Sequence, residues 1–92
     1  MCTMIVKKVN INGSGKGTNG WFSLDQASVS YDHPFHLAQE HALNIDFVNE
    51  ELGPGARVAV ELSAPAARNL VAAIQEVLSQ AEMGGHLASA TV

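Results

Sequence analysis

Three of the four histidines in this 92-residue chain fall within nine residues, in Tyr31-Asp32-His33-Pro34-Phe35-His36-Leu37-Ala38-Gln39-Glu40-His41. Imidazole nitrogen and carboxylate oxygen are the donors that zinc or iron accepts, so His33, His36, Glu40 and His41 form a candidate metal set. Two imidazoles with Glu40 also suit a two-His-one-carboxylate site with open positions. Other chemistry is open to the same groups. Asp32 and the imidazoles can hydrogen-bond the backbone of a Pro-bent connection, line a dimer seam, or touch a polar ligand at a pocket rim. The spacing matches no short metal motif, and closed zinc sites usually draw ligands from separated segments. Glu40 beside His41 is a conceivable acid-base pair, but adjacent residues on a strand point to opposite faces.

Two other stretches invite a chemical reading. Gly13 to Thr18 spells Gly-Ser-Gly-Lys-Gly-Thr, near the core of a phosphate loop. Asn10 stands where the leading glycine belongs, however, and Gly17 where Ser or Thr should follow the lysine. A phosphate loop must also open a helix, and strand is expected next, so the segment reads as a hairpin turn. No G-x-S-x-G elbow is present, and Cys2 sits near a terminus. No residue is assigned a catalytic role, and a non-enzyme is the stronger expectation.

The elements that must position these groups follow from periodicity. Residues 4 to 11 are rich in β-branched side chains and suit a first strand. The glycines from Gly13 to Gly20 suggest a long turn, and Trp21 to Tyr31 a second strand. In that strand Phe22 and Leu24 share one parity while Ala27, Val29 and Tyr31 share the other, so a bulge near Asp25-Gln26 is expected. Pro34 makes the histidine segment a connection. Residues 42 to 48 and 57 to 62 alternate as half-buried antiparallel strands, with a turn at Glu50 to Gly55. Ser63 is an N-cap with Pro65 in the first turn. Ala67, Leu70, Val71, Ile74, Val77 and Leu78 then keep helical spacing over residues 64 to 82, a stripe that reads as core packing. Gly84-Gly85 stops the helix. The expected fold is α+β: a four-stranded antiparallel sheet and one C-terminal helix (β-β-β-β-α), with residues 1–83 as one domain and 84–92 as a flexible tail.

Composition narrows the function classes. Five basic residues against nine acidic ones disfavour nucleic acid and anionic membranes as partners, since both need a basic surface. One cysteine allows no intrachain disulfide and fits a reducing cytoplasm. Met1-Cys2-Thr3-Met4-Ile5-Val6 precedes Lys7-Lys8, the reverse of a secretory signal's order. No apolar run approaches the ~20 residues of a bilayer span. The protein reads as cytoplasmic.

A helix is roughly 10 Å wide and strands sit about 4.8 Å apart, so one helix shields only part of a four-stranded sheet. A second copy can cover the remainder, and two such sheets can form an eight-stranded barrel or sandwich with room for one small ligand. Strand parity puts Leu43, Ile45, Phe47, Val58, Val60 and Leu62 on the lining. Trp21, beside the glycine turn, and Phe35, in the histidine loop, are the aromatics placed to line a cavity mouth. The other aromatics are expected in the core.

Met1-Cys2-Thr3, Gly-Ser-Gly-Lys-Gly before Trp21-Phe22, Tyr-Asp-His-Pro-Phe-His, Glu40-His41, Asn44-Ile45-Asp46-Phe47 and the run from Leu52 to Leu62 together resemble one family. It is a group of small actinobacterial proteins, some encoded among natural-product genes, including enediyne-type polyketide clusters. The resemblance spans the chain to about residue 80. It implies an accessory role: a homodimer holding a polyene or fatty-acyl-like biosynthetic intermediate without chemistry. No cofactor is expected beyond the zinc or iron that the histidine set could hold. It carries over no catalytic residue. A metal-binding protein or small metal-dependent enzyme, and a structural dimer supporting a partner enzyme, are the competing expectations.

Overall fold

The computed structural model describes residues 5–86. Four strands, β1 (Ile5–Gly17), β2 (Gly20–Asp32), β3 (Ala42–Val48) and β4 (Arg57–Leu62), form one antiparallel sheet in sequence order. A short 3-10 turn, Glu50–Leu52, joins β3 to β4, and the helix α1 (Ala64–Met83) follows. The α+β class and the β-β-β-β-α order are as the periodicities predict. Cys2, and residues 87–92 of the expected tail, lie outside the described residues.

The glycine-rich stretch departs from expectation. Gly13, Gly15 and Gly17 belong to β1, and the turn shrinks to Thr18-Asn19 between paired Gly17 and Gly20. Gly20 adopts a φ of 113°, a value that glycine alone takes without strain. Gly15 has a packing reason to lack a side chain: a Cβ there would lie 3.0 Å from Leu24 Cδ1 and 3.3 Å from Val58 Cγ2. β1 and β4 are not sheet neighbours, so that approach shows the sheet curling over on itself at this end. The register irregularity lies between Asn10 and Gly13. The extra residue therefore sits on β1, across from the Asp25-Gln26 position where β2 was expected to carry it. The curl buries Leu24 and Ala27 despite their opposed parities.

Pairing sorts side chains onto two chemically distinct faces. Val9, Ala27, Phe47 and Val58 form one cross-strand row; Lys7, Val29, Ile45 and Val60 form the next; Ile5, Tyr31, Leu43 and Leu62 the third, so this face is apolar apart from Lys7 at its edge. The other face carries Val6, Ser30, Asn44 and Glu61 in one row and Lys8, Ser28, Asp46 and Ala59 in another.

The helix starts as the sequence dictates. Ser63 Oγ accepts the Ala66 N–H at 3.2 Å, and Pro65 occupies the first turn. At the far end Gly84, Gly85 and His86 donate their N–H groups back to Gln80, Glu82 and Ala81. These first three residues of the expected tail thus close the helix.

What α1 covers is much less than expected. Ala67 is its one buried residue. Leu70, Val71, Ile74, Val77 and Leu78 remain 43–65% exposed, so among the described residues little covers the stripe read as core packing. The buried apolar residues are Leu24, Ala27, Ala42 and Ala67, and no large side chain among the described residues is fully buried. Trp21 and Tyr31 are also exposed, against the expectation of an aromatic core for Tyr31.

Candidate functional site

The six residues expected to line an apolar site stand together as cross-strand pairs. Leu43 faces Leu62, Ile45 faces Val60, and Phe47 faces Val58. All six are half-buried. Between this face and the N-terminal half of α1 runs an open groove of about 390 Å³. Val29, Leu43, Ala67, Val71 and Ala72 line it. Its size falls within the ~300–1,000 Å³ of small-molecule sites, though one side is open. Of the six, Leu43 alone borders this groove; Val29 joins it from β2, Ala67 and Val71 come from the helix stripe expected in the core, and Arg68, Ala72 and Gln75 lie beside that stripe.

Trp21 and Phe35 do not join the six. Trp21 is 70% exposed and borders a shallow polar depression with Leu52 and residues of the β1–β2 turn. Phe35 is 96% exposed and overhangs the opposite face of the sheet.

The histidine loop has a definite architecture built by one carboxylate. Glu61, on β4, accepts the N–H of Phe35 at 2.6 Å, of His36 at 3.0 Å and of Leu37 at 2.8 Å. Three successive amides on one carboxylate favour its charged form. The bonds from Leu37 and Phe35, then His36 and its imidazole charge, accordingly hold the Glu61 pKa below its ordinary 4.5. No motif scan of the loop points to Glu61, because it lies on the regular alternation of β4, twenty-five residues away from His36. The signal available was a charged residue on a short strand between Val60 and Leu62.

Within the loop, His33 Nδ1 hydrogen-bonds the Glu40 carbonyl at 2.9 Å. The rings of His33 and His41 stack at 4.8 Å, and His41 stacks on Tyr31 at 5.8 Å. Asp32 accepts the His33 N–H at 2.7 Å. The geometry is that of a self-bonded connection: His33 and His41 meet face to face, the His36 amide turns to Glu61, and Glu40 contributes its carbonyl. Among the described residues no group of three or more His, Cys, Asp or Glu is arranged to hold a metal ion. The Gly13–Thr18 segment leads from strand into strand, so it offers no helix N-terminus to a phosphate.

A curled four-stranded meander with an apolar face, a polar face and one lightly attached helix defines a small α+β protein. A family of unknown function, DUF6295, matches residues 1–87, and the chain belongs to that family. No curated protein and no solved structure matches it. No helix among the described residues is long and apolar enough to cross a membrane.

Proposed function

We propose that two copies of this chain close over their apolar faces to bind a hydrophobic small molecule, without catalysing its conversion. The observation that carries the reading is the open groove between α1 and the sheet. Val29, Leu43, Ala67, Val71 and Ala72 give it a mainly apolar lining, with Arg68 and Gln75 at the helix side, and the helix stripe that continues from it is half exposed along its whole length. Apolar surface of this extent on both walls is the mark of a surface that another molecule covers. A second copy supplies the missing wall for each groove and shields the exposed strand edges.

The occupant is read as a polyene or fatty-acyl-like intermediate. A linear chain gains ~0.8 kcal/mol per buried methylene, so length alone supplies affinity. The motifs from Met1-Cys2-Thr3 to Leu62 support a setting in enediyne-type natural-product biosynthesis. The single cysteine and acidic charge support a cytoplasmic one.

A fluorescent polyene fatty acid, cis-parinaric acid, tests the binding. Saturable fluorescence enhancement with the parent protein and its loss in Phe47→Asp is the expected outcome. Phe47 lies between Ala27 and Val58 on the apolar face, where an unpaired carboxylate is strongly disfavoured. A folded Phe47→Asp protein that binds the polyene as the parent does contradicts the reading.

A further inference from the structure

The polar face of the sheet also carries a built hollow. It is open, about 400 Å³, and is walled on one side by the histidine loop. Its floor is mixed: Ser28, Ser30, Asn44, Asp46 and Arg57 supply polar groups among Val6, Ala59 and Val60, with Phe35 at its rim. A solvated sheet face is ordinarily polar, so polarity alone says little. Two features distinguish this one. First, the loop that raises its wall is tied down by three amide bonds to Glu61. Second, those bonds hold Phe35 through its own backbone while the residue stays 96% exposed. An exposed aromatic side chain on a tied-down backbone, beside a mixed polar and apolar floor, is a contact platform.

We infer that this hollow binds a small polyhydroxylated ring, of the size and chemistry of a monosaccharide. Hydroxyl groups both donate and accept, and so does the floor. Ser28 and Ser30 do either, Asn44 offers an amide, Asp46 accepts and Arg57 donates. Asp46 and Arg57 are already joined, Arg57 Nη2 lying 2.6 Å from Asp46 Oδ1. Their charges offset each other, which suits a neutral ligand. A carboxylate or phosphate would face Asp46 and Glu61 together. The weakly polar C–H face of a sugar ring packs on an aromatic side chain, and Phe35 supplies one.

The test is a proton–nitrogen correlation titration of the parent protein with four probes: the methyl α-glycosides of glucose, galactose and mannose, and myo-inositol. The expected result is saturating shifts of the Ser28, Ser30, Asn44 and Phe35 amides with at least one probe, at dissociation constants of about 1–20 mM. Phe35→Ala keeps the amide that bonds Glu61, so its spectrum stays folded while binding weakens roughly tenfold. Ser30→Ala, which removes one floor hydroxyl, weakens it as well. No saturating shift with any probe up to about 100 mM overturns the inference. So do shifts that Phe35→Ala leaves unchanged.

Discussion

Replacing Ile74 by alanine separates an exposed helix from an interface helix. In the single chain Ile74 is 50% exposed and sits in the middle of the unpartnered stripe. The substitution removes about three methylene-equivalents, worth ~0.8 kcal/mol each when fully buried. Half of that burial is absent in the isolated chain, so dimer formation contributes the other half, roughly 1.2 kcal/mol per copy. Both copies carry the change, which gives about 2–3 kcal/mol per dimer and a dissociation constant raised roughly 30- to 150-fold. Helix propensity favours alanine slightly, so the monomer fold is retained. Sedimentation velocity over a concentration series reads the constant, with Glu76→Ala on the far side of the helix as control. A constant within about threefold of the parent refutes the interface assignment for the stripe.

Two further outcomes follow from the packing and the loop. Gly15→Val places methyl groups against Leu24 and Val58, which already lie 3.0 and 3.3 Å from a Cβ at that site; urea denaturation should show a loss of about 1–3 kcal/mol, and unchanged stability contradicts the curled sheet. Glu61 has a pKa held below 4.5 by the Leu37, Phe35 and His36 amides, so the stabilisation it gives the loop is present above 4.5 and lost as pH falls through the lowered value. Hydrogen-exchange protection at those three amides should therefore hold down to about pH 5 and fall as pH drops from 4.5 through the lowered value; Glu61→Ala, which removes both acceptor oxygens, should lack it at every pH, and equal protection in parent and variant contradicts the latch.

Strand and helix existence were legible because alternation and the 3.6-residue period are local signals. Leu43, Ile45 and Phe47 against Val58, Val60 and Leu62 is the clearest instance, and the structure pairs these residues across β3 and β4. The glycines of β1 were misread because their role is not local. Gly15 is required by Val58, forty-three residues away and three strands over, and no window of sequence shows that approach. The helix stripe shows the limit of periodicity: Leu70 to Leu78 states that a face must be covered, not what covers it. The histidine cluster was visible, but Glu61, which organises its loop, was not. A carboxylate that binds backbone amides leaves its signature in three dimensions and none in the composition of the loop.

Native mass spectrometry of gently purified protein, with no metal added, bears most directly on the proposed function. The expected result is a dimer carrying an extra few hundred daltons that denaturation releases as an apolar organic molecule. A bare monomer at micromolar concentration would contradict the shared pocket. A dimer whose only excess mass is one metal ion per chain would contradict it too, and would return the reading to His33, His36, Glu40 and His41.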